Sequence, residues 1–401
     1  MKNKIIKCLS TLCITILVFT ACNEYSEPPL IYNPDETLET GPSITSVVPV
    51  DSAQAGIREI SINGSGFAAD GSDTNWVFIG GVPAIIKSVS ESKIVVYRPA
   101  AAGDGLTISV VIPSAASVAK VDDYSVSEAF KAWGDFQYEA YGLMSMDVAS
   151  DGTLYIGTRR KIIKLAPNGI DIAELNSYRS DFAKITDLKF GPGGVLYACI
   201  DKNEIYKIDP VTGVESEFAD LGKKSTRFDF DQSGNMFVGK RDGIFVVNQS
   251  GEFTSTGIMD GTEIVEMRVY NNELYIAVDR KIVKYQIQNG TLSTEQLIVD
   301  LTNKTGFSSC LISAFNIDVN GTVLLCLTGH PDYSLFVLES DGSITPYYFA
   351  KILPRSIDQI IFANDKNLYL NRGLTIPRDS VRLYKMGMDK LGAPYIGRAN
   401  N

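Results

Sequence analysis

The chain has 401 residues, 45% of them hydrophobic and 21% charged, with 37 basic residues against 47 acidic ones and a net charge of −10. Such a composition is that of a globular protein of two or three domains. The acidic balance argues against nucleic acid as a partner, because phosphate binding needs clustered Lys and Arg, and a lone histidine, His330, excludes any site built on two or more.

The chain begins MKNKIIKCLSTLCITILVFTAC, with Lys2, Lys4 and Lys7 ahead of an apolar run from Cys8 to Phe19. That run is shorter than the ~20 residues a membrane-spanning helix needs. A basic start, a short apolar run and small residues at its end describe a secretory signal. Thr20-Ala21-Cys22 resembles the lipobox of bacterial lipoproteins, in which cleavage before the cysteine is coupled to its lipidation. An ordinary signal peptide that happens to contain a cysteine is the alternative. The resemblance implies that residues 1–21 are removed and that Cys22 carries lipid. Removal takes three lysines and no acid, so the net charge falls from −10 to −13. A surface that acidic is not drawn to an anionic membrane, and the lipid anchor is the only membrane contact expected. Besides Cys22 the mature chain keeps Cys199, Cys310 and Cys326, with no CxxC spacing, so neither a zinc ribbon nor a disulfide scaffold is supported.

Residues 22–41 are polar, acidic and proline-bearing, which suits a flexible tether. Residues 42–126 hold short alternating runs, Ile44 to Val48, Glu59 to Ile62, Trp76 to Ile79, Ile85 to Val89, Lys93 to Tyr97 and Leu106 to Val111, separated by glycine and proline. This is the pattern of a small antiparallel β-sandwich. Ile44-Thr45-Ser46 with Pro49, Ile62-Asn63-Gly64-Ser65-Gly66-Phe67 and Gly80-Gly81-Val82-Pro83-Ala84 resemble the immunoglobulin-like IPT/TIG fold. The resemblance implies a spacer or interaction module. Trp76 is expected in its core, and no reactive constellation stands out in it.

From residue 144 onward a unit recurs. DGTLYIG, GGVLYAC, SGNMFVG, NNELYIA, NGTVLLC and DKNLYLN carry the anchors Leu154, Leu196, Met236, Leu274, Val323 and Leu368, at intervals of 42, 40, 38, 49 and 45. An apolar run precedes each anchor, another follows, and a fourth, more variable run closes most units. Four strands every ~40–45 residues are the signature of propeller blades. Residues 132–401 are therefore expected to form a six-bladed β-propeller, making the chain all-β. Three residues after the anchors stand Gly157, Cys199, Gly239, Ala277, Cys326 and Asn371, mostly small, as a crowded position between blades requires. Cys199 and Cys326 then read as packing thiols on opposite sides of the ring, too far apart for a disulfide. The units resemble NHL-type repeats, although that family's Asp…Asn before the second strand survives only as Asp201 and Asn203. The last blade lacks a fourth strand of its own. Asp135 to Tyr141 is expected to supply it, with Pro394 to Ala399 as the alternative.

Strand direction puts the loops between blades and the loops between second and third strands on one face. There blades 5 and 6 carry insertions, Thr328 to Tyr333 and Asn371 to Asp379, and extra chain lies ahead of blade 5, from Asn303 to Cys310. Insertions on one face of a repeat protein often mark its binding surface. The candidate ligand-binding residues are Phe307, His330, Asp332, Tyr333, Arg372 and Arg378, since a ring packs on the apolar face of a sugar while Arg and Asp engage hydroxyls. Tolerant loops are the competing reading. A secondary basic ring, Arg159, Arg160, Arg241 and Arg280, stands at the shorter hairpin tips, where it would favour an anionic ligand such as a uronic acid or simply be solvated. Neither a metal nor another cofactor is expected, and no catalytic residue is singled out.

Lipobox, tether, sandwich and propeller in this order resemble surface lipoproteins of Bacteroidota that sit with outer-membrane glycan importers. The resemblance implies an outer-membrane, lipid-anchored, cell-surface protein that binds a glycan or associates with an importer without catalysis. Two alternatives stay open: a protein–protein interaction scaffold, and a propeller lyase or lactonase using acids such as Asp147, Asp187 and Asp229 along the channel.

Overall fold

The computed structural model describes residues 40–69, 75–136, 142–159, 161–175, 184–222, 224–372 and 382–398. Cys22 and the tether as far as residue 39 lie outside them.

Two sheets make the first domain. One joins Ser43–Val48, Glu59–Ser65, Lys93–Tyr97 and Ile86–Ser90; the other joins Ser52–Ala53, Ala119–Val126, Gly103–Val111, Trp76–Ile79 and Val82–Pro83. Ile60, Ile62, Val77, Ile79, Ile94, Val96, Ile108 and Val110 fill the space between them. Gly80 and Gly81, at φ 60° and 76°, form the two-residue turn between Trp76–Ile79 and Val82–Pro83, a backbone that L side chains resist. Trp76 is not in the core. Side chains alternate along a strand, so with Val77 and Ile79 facing inward Trp76 is turned out, at 52% exposure.

Six further sheets surround a common axis. Their innermost strands are Ser145–Val148, Ile185–Phe190, Ser225–Phe230, Glu266–Tyr270, Leu311–Ile317 and Gln359–Phe362. Each contacts the next, and the sixth returns to the first. The propeller is thus six-bladed, and closure leaves no inner sheet edge exposed. Cys199 and Cys326 are fully buried, unpaired thiols in blades 2 and 5. Burial pushes both thiols above their ordinary pKa.

The ring is latched by Phe130–Ala132, which pairs antiparallel with Leu383–Gly387 as the outer strand of the last blade. The latch lies upstream of the expected Asp135 to Tyr141. Phe130 sets the register by packing edge-on against Tyr384, at 5.3 Å. Downstream, Trp133 and Phe136 enter the core shared by blades 1 and 6. Residues 137–141 lie outside the described residues.

The alternative latch has another role. After Met388 the chain leaves the blade, Ala393 N–H donates to Ile317 O, and the 3-10 turn Ile396–Arg398 lies across the end of the axis where inner strands finish. Tyr395 is held between two guanidinium groups, Arg268 at 3.5 Å and Arg398 at 3.9 Å from its ring centre. Its hydroxyl donates to Asn316 Oδ1 at 3.0 Å. Arg268 donates to the carbonyls of Ala393 and Pro394, and Arg398 pairs with Asp147. The C-terminal segment plugs this end of the channel.

The sandwich is docked on the propeller, not merely tethered to it. Tyr97 stacks on Phe349 of blade 5 at 3.8 Å. Arg58 donates to Tyr347 O and Pro346 O and pairs with Glu339 at 3.1 Å. Gly56 N–H donates to the Tyr348 hydroxyl, and a Cβ at Gly56 would stand 2.2 Å from the Met388 carbonyl carbon. Glycine is required for that approach.

Candidate functional site

The acids along the axis hold the blades together. Asp147 accepts the N–H of Val148 and of Phe190 in the next blade; Asp187 does the same for Leu188 and Phe228, and Asp229 for Phe230 and Val269. Each carboxylate bridges its own inner strand to the next one. Burial raises the Asp187 carboxyl to about 6. Burial acts on Asp229 in the same direction, but Lys189 and Arg268 beside it outweigh that and hold it below the usual carboxylate range. Asp229 pairs with Arg268 at 3.0 Å and lies 3.9 Å from Lys189. Buried charges persist only with such partners. These three acids are engaged with backbone and cations, an arrangement suited to fastening blades.

At the other end of the axis, where inner strands begin, a cavity of about 280 Å³ opens at the channel mouth. β-bulges at Thr186 and Thr226 shape it, because the pairing register shifts between Ile185 and Asp187 and between Ser225 and Arg227. Bulges re-aim side chains at strand ends. The Thr186 hydroxyl donates to Ser225 O and the Thr226 hydroxyl to Gly239 O. Arg227 is fixed by donating from Nη1 to the carbonyls of both threonines, each at 2.8 Å. Lys184 and Lys224 stand beside it, while Glu263 and Asp358 come from blades 4 and 6. Lys224 pairs with Asp201. Among the described residues the Lys184 side chain makes no hydrogen bond or ion pair, while its carbonyl accepts the N–H of Asp201. Burial, then Lys224, Arg227 and Arg159, lower its pKa, against Asp201.

The insertions ahead of and within blade 5 meet on this same face. His330 lies 5.6 Å from Phe307 and 5.5 Å from Tyr333, and all three rings rest on Phe336. His330 Nδ1 accepts the N–H of Asp332 and of Tyr333, so the ring staples its own loop. Burial lowers the His330 pKa and Lys351 adds to it, against Asp332. Asp332 pairs with Lys351 at 2.9 Å, which holds its carboxyl below the ordinary range. The Tyr333 hydroxyl donates to Phe349 O. Phe349 is the ring on which Tyr97 of the sandwich stacks, so an aromatic path joins these loops to the first domain.

The sequence-derived candidates thus divide. Phe307, His330, Asp332 and Tyr333 come together. Arg372 stands in the neighbouring blade, its N–H bonded to Arg382 O, and no hydrogen bond or ion pair joins it to that cluster among the described residues. Arg378 and Arg160 lie outside the described residues. In the basic ring, Arg159 and Arg241 are exposed and Arg280 is half-buried; Arg159 acts electrostatically on Lys184. Sequence reasoning overlooked the mouth residues. A signal for them exists, since Lys184-Ile185-Thr186 and Lys224-Ser225-Thr226 repeat the same Lys-x-Thr one blade apart.

The IPT/TIG domain model matches residues 42–126. None of the curated proteins matches the chain. Two solved structures share its fold through both domains. One is a structural genomics protein of unknown function from Bacteroides thetaiotaomicron VPI-5482, at 11% identity and TM-score 0.52, covering 89% of this chain and 99% of that one. The other is an auxiliary nutrient binding protein from Bacteroides ovatus ATCC 8483, at 13% identity and TM-score 0.50, with the same coverage.

Proposed function

We propose that this protein is a non-catalytic glycan-binding lipoprotein, anchored in the outer membrane through Cys22 and exposed at the cell surface beside a glycan importer. The carrying observation is the asymmetry of the ring. One end of the axis is closed by Tyr395 and its two arginines, with clefts only beside the plug, whereas the other bears a cavity lined by Lys, Arg, Glu and Asp with the blade 5 insertions gathered on the same face. Phe307, His330, Asp332 and Tyr333 form the rim that meets the glycan, with Arg372 in the neighbouring blade; Arg378, assigned to the same site from the sequence, lies outside the described residues. The name of the Bacteroides ovatus protein, an auxiliary nutrient binding protein, agrees with a binding role. Lipidation follows from Thr20-Ala21-Cys22.

Calorimetric titration of the soluble chain from residue 23 with a panel of oligosaccharides tests the reading. Binding that weakens at least ~10-fold in Tyr333→Ala is expected, from loss of a stacking ring. Release of a cleaved product would establish an enzyme instead. Mass spectrometry of the membrane-extracted protein should find a diacylated Cys22, and Cys22→Ala should leave the membrane fraction.

An interaction scaffold is the second reading. Trp76 and Ile85 are each about half exposed on the sandwich, and large apolar side chains grouped at a surface mark contact sites.

A further inference from the structure

The channel mouth has a divided charge. Lys184, Lys224 and Arg227 stand on the side of blades 2 and 3, and Glu263 and Asp358 come from blades 4 and 6. Each alternative ligand meets an obstacle there. A bare cation faces three basic groups. A compact polyanion faces two acids. A neutral sugar leaves half-buried Lys184 with only Asp201, already paired with Lys224, as counter-charge, and leaves the buried Arg227 Nε, 3.8 Å from Glu266, without a hydrogen-bond acceptor, although buried donors are costly when unpaired. A ring carrying one carboxylate and several hydroxyls satisfies both sides, because carboxylates accept hydroxyl protons and ammonium and guanidinium groups donate to a carboxylate. At about 280 Å³ the cavity is smaller than the ~300–1,000 Å³ sites of drug-sized ligands, which suits one sugar ring and not a chain.

We infer that the mouth cavity is a subsite for a single uronic-acid residue, its carboxylate against Lys184, Lys224 and Arg227 and its hydroxyls against Glu263 and Asp358. The inference rests on the glycan-binding reading and gives that reading its substrate class: acidic polysaccharides. The pKa of Lys184, already lowered by its surroundings, rises when the carboxylate arrives.

The test is calorimetric titration of the soluble chain with α-1,4-linked trigalacturonic acid and with its carboxyl-reduced counterpart, in which neutral hydroxymethyl groups replace the carboxylates. The acid is expected to bind at least ~10-fold more tightly, to weaken with added salt, and to lose that advantage in Lys184→Gln. The Lys184 ammonium makes no hydrogen bond or ion pair among the described residues, so this variant should fold. Equal binding of the two sugars, or an unchanged Lys184→Gln, overturns the uronic-acid subsite and leaves glycan binding standing. A second measurement separates the two ideas further. Free galacturonate, but not galactose, should protect Lys184 from acetylation, read by mass spectrometry. Protection without binding of any oligosaccharide keeps the subsite and overturns the glycan-binding reading; neither protection nor binding overturns both.

Discussion

Tyr395→Ala is the sharpest test of the plug that closes the channel. Replacement removes a buried ring, worth ~3–5 kcal/mol when truncated to alanine. It takes two stacked guanidinium contacts, at 3.5 and 3.9 Å, each worth up to ~2 kcal/mol when desolvated. It also strips Asn316, 4% exposed, of its hydroxyl partner, a further ~1–3 kcal/mol. These contributions overlap, and a loss of about 5 kcal/mol is expected, at the upper end for one substitution. Tyr395→Phe keeps the ring between Arg268 and Arg398 and loses only the hydroxyl, about 1 kcal/mol. The chain's two tryptophans divide between its domains. In a Trp76→Phe background the buried Trp133, which shares a core with Tyr395, reports on the propeller alone. Urea unfolding followed by its fluorescence should separate the two variants by about 4 kcal/mol. A Tyr395→Ala protein within about 1 kcal/mol of its parent would refute the plug as a stabilising element.

Three other outcomes follow from the same geometry. Burial raises Asp187 to about 6 in the folded chain, against ~3.9 unfolded; the stability of its protonated form is therefore complete below pH ~4 and lost as pH rises through about 6. Asp187→Asn should accordingly cost more at pH 4 than at pH 7, by up to ~3 kcal/mol, and an equal cost at both would count against a buried, protonating carboxyl. Gly56→Val, at φ +92° and against the Met388 backbone, should release the sandwich from blades 5 and 6 without unfolding it; an unchanged radius of gyration in small-angle scattering would contradict the docked arrangement. A chain starting at Gly142 lacks Phe130–Ala132, Trp133 and Phe136 and should melt ~10 °C or more below one starting at Ser127, whereas equal melting would show that the latch contributes nothing.

Much of the architecture was legible because it is periodic. Six anchors from Leu154 to Leu368 each need the same buried slot, and four alternating runs per anchor leave little besides blades in a closed ring. The meeting of the blade 5 insertions was legible too, because strand direction alone assigns loops to faces. Trp76 was misread because a one-residue choice of register turns a strand's side chains to the opposite face. The latch was misplaced because strand character in Asp135 to Tyr141 says nothing of which segment Tyr384 receives. Asp147, Asp187 and Asp229 read as scattered acids, since each finds its second partner about 40 residues away in the next blade.

The chain's local patterns were enough to determine an all-β ring of six units behind a sandwich, since burying alternating apolar faces has few solutions. Tertiary structure alone decided that Tyr395 closes one end of the axis, that Tyr97 and Phe349 lock the sandwich to the ring, and that Lys184, Lys224 and Arg227 share a cavity with Glu263 and Asp358. Those features join residues tens to hundreds of positions apart, and only ring closure brings their charges and rings within reach of one another.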